Sequence, residues 1–440
     1  MRRTSGVFMK GASLFSEQDD FPHQQVSEEE TTSGVHLALI IIGGTIGFAV
    51  FVVASQIGGA LGYRGAAVAF GVGSLCLGVM GAVTSYVGAR TRLSTYMLTE
   101  FAFGRLGAKV VNLVVALSLV GWFGVISNTL GDAAHQMLLE ALQLDVSPYL
   151  TVAVACVLMI AVTAMGFSGI DRLALLMVPV MLGLITFAAL RALALGDDHG
   201  FTPSQAYTYP TAISAVVGSY IAGVIIQPDY SRFACNTGQA VWAVFLALGC
   251  VFPVVQFLSA IPSMAMGEPS IILVMAALGI VVPAFFLLFL GAWSSNVLCL
   301  YSSSLSVATL FPRVHLTLII LAIGAVGTAL AFVPAQLYLI GYLELLGIAI
   351  PPIGAIYCLD VLAIRRLRLT PDGTAEGAAV RFSAFVAWAL AGLGGYASST
   401  YGLGLIGISA LDSILIAGLV FVVLNLPRLL QNRPQPEPHV

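Results

Sequence analysis

The chain has 440 residues, of which 59% are hydrophobic and only 9% are charged. A soluble domain has about 25% charged residues, and the mean hydropathy of +0.98 is too high for a surface that mostly faces water. The six cysteines are scattered singly, so neither a disulfide framework nor a CxxC metal site is indicated. The sequence therefore predicts an all-α integral membrane protein rather than a set of soluble domains.

Apolar segments long enough to cross a bilayer recur about twelve times along the chain. A membrane helix needs about 20 mostly apolar residues to cross the hydrocarbon core. The predicted spans, in chain order, lie near 36–62, 65–88, 107–139, 148–167, 172–195, 209–228, 239–262, 272–309, 314–334, 336–363, 381–399 and 403–427.

Basic residues predict the orientation of these spans. With the N-terminus inside, all of the 18 Lys and Arg residues except Arg64 and Arg191 fall on the cytoplasmic side. Positive charge sets topology through this bias, so we expect a multi-pass protein of the cell (inner or plasma) membrane with both termini cytoplasmic. The first apolar run begins near His36 behind a polar tail, so no cleavable signal peptide is expected.

The same pattern divides the chain into five parts. A disordered cytoplasmic tail (1–35) precedes a ten-helix transport core (36–363), a cytoplasmic loop (364–380), two accessory spans (381–427) and a C-terminal tail (428–440).

Glycines interrupt the first and the sixth predicted spans. Gly43, Gly44 and Gly47 lie in the middle of the first span, and the sixth span contains Gly218, Ser219 and Gly223. Two interpretations remain open for the first group, which can provide close GxxxG packing or an unwound binding segment. Paired broken helices at these positions are typical of two inverted repeats of five helices with a site between them.

Polar residues in the eighth span suggest a cation site. Gly291, Ser294 and Ser295 share one helix face at i, i+3 and i+4. A carbonyl and two hydroxyls offer neutral oxygens for an alkali cation, although such serines often hydrogen-bond only to their own helix. Among acidic residues at membrane depth, Glu344 is the candidate for proton coupling, and Asp360 is expected to pair with nearby arginines.

Short motifs in a specific order carry a resemblance to a known family. They are GARTRLSTYMLTEFAFGRLG after the second span, GWFGV in the third, GSYIAG and QPDYSRF in the sixth, GAWSSN in the eighth and IPPIGAIYCLD in the tenth. From about Gly43 to Arg366 the chain resembles the nucleobase–cation symporters of the purine–cytosine permease type, and cytosine permeases in particular. This resemblance implies the five-plus-five inverted-repeat (LeuT-like) fold with broken first and sixth helices.

The resemblance also implies a substrate site. An aromatic pair that sandwiches a flat heterocycle corresponds to Trp122 and Tyr220, the residue that hydrogen-bonds the ring edge corresponds to Asn296, and Ser219 adds a polar contact. Three departures from the family pattern affect this site. Ala222 replaces a serine, Val297 and Leu298 replace polar residues after Asn296, and Gly47 replaces a bulky aromatic residue, which enlarges the pocket or removes a wall. Cytosine, a purine, a hydantoin, allantoin or a hydroxymethylpyrimidine therefore remain open as substrates.

The implied cation is sodium. The matching positions are Gly43 and Ile46 in the first span and Gly291, Ser294 and Ser295 in the eighth. The sequence thus predicts sodium-coupled symport of a planar heterocycle within a lipid bilayer, with no cofactor and no obligate protein partner. Proton coupling through Glu344 and a broken-helix amino-acid transporter are the alternatives. No HExxH, GxSxG or extended basic surface occurs, so an enzyme or a nucleic-acid-binding protein is not expected.

Overall fold

The computed structural model describes residues 31–165, 170–194, 202–267, 281–308, 313–334, 337–367 and 378–431, with residues 279, 310, 311 and 369. Helices occupy the positions of the twelve predicted spans within these ranges. The predicted tails lie largely outside them.

The helical segments follow the predicted order. The first span comprises Gly34–Thr45 and residues 48–61, and the second comprises residues 63–91. The next ones are Arg105–Leu142, Pro148–Met165, Ile170–Ala194, Tyr209–Ile225 with Gln227–Ser231, Thr237–Met266, Val281–Ala308, Leu316–Ala331, Leu339–Ile364, Phe382–Tyr401 and Ser409–Leu424. Within the described residues there is no strand, only an isolated bridge between Thr32 and Ala234. The all-α prediction is confirmed.

Length and composition alone identify fewer crossings. Among the described residues, four helices are both long and apolar enough to cross a membrane, and six further apolar helices are shorter. The first and sixth spans are short because each is interrupted. A positive φ of 68° at Gly62 separates the first span from the second, a conformation that glycine adopts without strain.

One side of the second span is exposed and apolar. Val68, Val72, Leu75, Val79 and Val83 are each between 37% and 51% exposed and follow helical spacing. In water such a stripe would be unfavourable, whereas in a bilayer it faces lipid tails. The stripe therefore marks a lipid-facing side of the bundle.

The helix contacts made by the two halves of the core are equivalent. The first span packs against the seventh, and the second packs against the sixth. The fifth span contacts the first as the tenth contacts the sixth, while the third and eighth contact each other. Interchanging spans one to five with spans six to ten reproduces these pairs, as expected for a five-plus-five repeat.

Two glycines make equivalent contacts in the two halves. A Cβ on Gly121 of the third span would touch the Tyr342 hydroxyl of the tenth, and one on Gly291 of the eighth would touch Met181 of the fifth. Gly121 in the motif GWFGV and Gly291 in the motif GAWSSN thus occupy equivalent packing positions in the two halves.

The break in the sixth span is not at its glycines. Tyr209–Ile225 is continuous through Gly218 and Gly223, and the helix is interrupted at Ile226, just before Pro228. Proline has no backbone N–H to donate to the carbonyl four residues earlier. That carbonyl, on Val224, instead accepts a hydrogen bond of 3.0 Å from the Thr84 hydroxyl.

The basic end of the bundle, defined by Arg92, Arg232, Arg365 and Arg381, is fixed by an ion cluster. Asp360 is fully buried and accepts hydrogen bonds from Arg365 (2.6 Å) and Arg381 (2.7 Å). Both arginines also donate to the Phe101 carbonyl. The cluster therefore joins the short helix Thr95–Phe103 to the end of the tenth span and the start of the eleventh.

Gly218 provides a test of the close packing between the sixth and tenth spans. A Cβ at this position would overlap the backbone carbonyl of Leu343, which cannot move aside as a side chain could. Gly218→Ala should therefore destabilise the protein by about 1–3 kcal/mol or more, although alanine is the better helix former. Gly59→Ala is the matched control, since a Cβ there has no neighbour within 4 Å. Equal melting temperatures of the two variants in detergent would contradict this packing.

Candidate functional site

The first span breaks where its glycines predicted an unwound segment. The helix ends at Thr45, and the following Gly47 is extended, with φ −118° and ψ 161°. The helix-end hydrogen bond runs from the Ile46 N–H to the Ile42 carbonyl. The carbonyls of Gly43 and Ile46 therefore lie at the negative end of a helix dipole, a position suited to a cation.

The broken segment lies against the sixth and eighth spans. The Tyr220 hydroxyl lies 3.1 Å from the position that a Cβ on Gly44 would take, and the Ser295 hydroxyl lies 3.0 Å from that of Gly47. Gly44 is exposed beside the half-buried Tyr220. The structure thus places Gly47, a predicted substrate residue next to the cation position Ile46, against Ser295, one of the eighth-span positions assigned to the cation. The Ser294 side chain lies outside the described part of the chain.

Each of the two predicted stacking rings has an aromatic neighbour. Trp122 is buried, and Tyr342 meets it edge to face with ring centroids 5.9 Å apart. Tyr220 is half-buried and tilted against Phe252, also at 5.9 Å. Tyr342 donates through its hydroxyl to the Ser118 carbonyl, which fixes its ring beside Trp122. Sequence reasoning missed Tyr342 and Phe252, since neither lies in a motif that distinguishes it from ordinary core aromatics.

Asn296 is the most informative polar group of the site. Its side chain is fully buried, and its Nδ2 donates a 2.7 Å hydrogen bond to the Ser127 hydroxyl of the third span. Its Oδ1 is buried and has no hydrogen-bond partner in the protein. An unsatisfied buried acceptor costs about 1–3 kcal/mol. This oxygen therefore indicates a place where a ligand donates a hydrogen bond. Ser127 also was not predicted.

Two other predicted substrate residues serve the protein's own packing. Ser219 is buried, and its hydroxyl donates to the Val216 carbonyl of its own helix at 2.7 Å. Ala222 lies in a small apolar cluster with Val115 and Leu119, against which Ile226 and Cys299 pack. Because Ala222 and Ile226 follow Tyr220 along the sixth span, this cluster, hereafter the apolar layer, lies between the ring-binding level and the basic end.

Glu344 faces the accessory spans. Its Oε1 accepts hydrogen bonds from Ser399 (2.7 Å) and from Ser409 (3.4 Å), on the eleventh and twelfth spans. Nearby, the fully buried Asp412 accepts from the Ser398 hydroxyl and from two backbone N–H groups, those of Ile406 and Gly407. Glu344 therefore connects the accessory pair to the tenth span, and Asp412 connects the two accessory spans to each other.

Comparison with known proteins assigns the family. A family model described as permease for cytosine/purines, uracil, thiamine, allantoin matches residues 25–420. This chain belongs to that permease family. The cytosine permeases of Escherichia coli strain K12 and of Escherichia coli O157:H7 are each 29% identical to it over 417 residues, which is 93% of this chain and 95% of each relative.

Solved structures agree on the fold. Mhp1, a nucleobase-cation-symport-1 family transporter in a closed conformation with bromovinylhydantoin bound, is 18% identical with a TM-score of 0.76, covering 97% of this chain and 98% of the other. The inward-facing conformation of Mhp1 has a TM-score of 0.79 over 92% of each chain at the same identity. A sodium-coupled sialic acid symporter has a TM-score of 0.64 at 14% identity over 90% of each chain.

The family and the fold together settle the class of protein. The chain is a multi-pass membrane transporter and not an enzyme, and the predicted inverted-repeat fold with broken first and sixth helices is confirmed. The roles assigned to individual site residues stay predictions.

Proposed function

We propose that this permease imports a nucleobase or a related planar heterocycle, cytosine-like or purine-like, together with sodium by alternating access. The observation that carries the proposal is the buried, unpartnered Oδ1 of Asn296, at the site where the family's substrate is expected. Nucleobases and hydantoins carry ring or exocyclic N–H groups that can donate to such an oxygen. The proposal places the protein in the cell membrane with its basic end and both termini in the cytoplasm.

Stacking supplies the apolar part of recognition. Trp122 and Tyr220 provide planar faces that accept any flat ring, while Asn296 selects among rings by their polar edge. Tyr342 and Phe252 contact these two rings and help to fix their positions. Gly47 is buried, and the Ser295 hydroxyl lies 3.0 Å from the position that a Cβ there would take.

Sodium would stabilise the contact between the first and eighth spans. In this mechanism the carbonyls of Gly43 and Ile46 and the oxygens of Gly291, Ser294 and Ser295 form its shell. The proximity of Ser295 to Gly47 supports this grouping. A cation held there would order the broken first span beside Tyr220, so that sodium and the heterocycle each increase the affinity for the other.

The apolar layer would close the cytoplasmic route in this conformation. Val115 and Leu119 of the third span meet Ala222 of the sixth, and all three are more than 90% buried. Opening toward the cytoplasm requires these surfaces to separate. Movement of the first and sixth spans relative to the third and eighth would accomplish this separation, as alternating access demands.

Replacing Trp122 tests the stacking. Trp122→Leu should weaken cytosine binding by about 5-fold to 150-fold, because stacking contributes about 1–3 kcal/mol per base. Trp242→Leu is the matched control, since Trp242 is 41% exposed on the seventh span. Competition binding on purified protein measures both variants. Equal affinities would remove Trp122 from the site.

Replacing the two serines tests sodium coupling. The double variant Ser294→Ala, Ser295→Ala should lose the sodium stimulation of cytosine uptake, because two of the proposed ligand hydroxyls are removed. The control is Ser303→Ala, Ser304→Ala on the same span, whose hydroxyls donate to the Leu300 carbonyl. Uptake of radiolabelled cytosine into cells is compared in sodium and in choline.

Unchanged sodium stimulation in the double variant would refute the cation site. The rival mechanism is proton coupling through Glu344. It requires cytosine uptake that does not depend on sodium and that is lost in Glu344→Gln. Because Glu344 is hydrogen-bonded to serines of the accessory spans, we expect Glu344→Gln to keep its sodium dependence. No uptake of cytosine and no competition by any nucleobase would refute the proposed substrate class.

A further inference from the structure

Asn296 is the first member of a chain of buried side chains that crosses four spans. Its Nδ2 donates to Ser127 of the third span at 2.7 Å. Ser127 is hydrogen-bonded to the Cys156 thiol of the fourth span, which in turn is hydrogen-bonded to Thr328 of the ninth. Thr328 donates its hydroxyl proton to the Gly324 carbonyl at 2.7 Å. These contacts are hereafter the polar chain.

The polar chain has a defined direction at Ser127. The Ser127 hydroxyl donates its hydrogen bond to the Cys156 sulfur. Ser127 has then used its only proton, so its oxygen must accept from Asn296.

This direction fixes which end of the Asn296 amide faces the ligand. A free asparagine amide can turn over and present either its oxygen or its NH₂ group, since the two are nearly the same size. Here the NH₂ end is held on Ser127, and the buried Oδ1 is left without a partner. An acceptor is therefore presented to the substrate, and a donor is not.

We infer that Ser127 and Cys156 are positioning residues that set the substrate selectivity of this transporter through the orientation of the Asn296 amide. The inference rests on the proposed function and deepens it. The site takes heterocycles that present an N–H donor to Oδ1 and discriminates against rings of the same shape that present a carbonyl there. Two lone pairs that face each other in a buried site leave both acceptors unsatisfied, which is costly.

Two pairs of nucleobases make this distinction without a change of shape. Uracil has a carbonyl where cytosine has an amino group, and a ring N–H where cytosine has an acceptor nitrogen. Hypoxanthine and adenine differ in the same way. With a fixed amide, the affinities for the two members of at least one pair should differ by about tenfold or more. An amide that is free to turn can hydrogen-bond to both members.

The experiment measures competition by cytosine, uracil, adenine and hypoxanthine against uptake of radiolabelled cytosine and, in parallel, of radiolabelled adenine. The wild type is compared with Ser127→Ala, which removes the anchor of the amide. It is also compared with Cys156→Ala, which frees the Ser127 proton to turn toward Asn296. Both variants should reduce this preference to about threefold or less, because the hydrogen bond that holds the amide in one orientation is lost.

Two control variants separate orientation from general damage. Cys156→Ser keeps a group that both donates and accepts, so the preference should be retained. Ser118→Ala lies on the same span as Ser127 and removes a hydroxyl that donates only to the Val115 carbonyl of its own helix. Melting temperatures in detergent confirm that each variant is folded.

The outcomes are distinguishable. A wild-type protein that takes up these bases without separating either pair contradicts the inference, and so does a preference that is unchanged in Ser127→Ala and Cys156→Ala. Failure of all four bases to be taken up or to compete overturns the proposed function itself. Loss of preference in both alanine variants, with retention in Cys156→Ser and Ser118→Ala, supports the polar chain.

Discussion

Backbone carbonyls freed at membrane depth are the constraint on which this structure depends, because hydrocarbon offers no water to satisfy them. At the break of the sixth span the protein provides its own donors: Thr84 reaches the Val224 carbonyl, and Tyr357 reaches that of Ile225. At the break of the first span, the carbonyls of Gly43 and Ile46 end a helix beside Ser295 and Tyr220. One break is thus closed by packing, and the other lies beside the candidate site.

The polar groups around this site are divided between two kinds of support. Asn296 is bound into the third, fourth and ninth spans through Ser127 and the side chains behind it. Tyr220 and Gly47 belong to the broken spans, which would move in alternating access. At the basic end, Asp360 connects the tenth and eleventh spans to the Phe101 carbonyl through its two arginines. A substrate between Asn296 and Tyr220 would therefore join a fixed element to a mobile one.

Composition and charge were enough to predict an all-α membrane protein, because long apolar runs and the Lys and Arg bias follow membrane crossing. The inverted-repeat fold needed the interrupted spans and the family resemblance as well. The first break was predictable from Gly43, Gly44 and Gly47, since three glycines in five residues weaken a helix. In the sixth span the same reasoning misplaced the break. Gly218 is needed for contact with Leu343, and the missing N–H of Pro228 gave the better signal. Ser127 and Tyr342 were not predictable, because their partners lie on other spans.

Reciprocal binding of sodium and heterocycle tests the central claim most directly. The dissociation constant of purified protein for cytosine is measured in sodium and in choline, and the half-saturating sodium concentration is measured with and without cytosine. If both ligands stabilise the same arrangement of the first, sixth and eighth spans, sodium should tighten cytosine binding, and cytosine should tighten sodium binding by the same factor, about 5-fold to 150-fold. Cytosine affinity that is identical in sodium and choline would contradict the account.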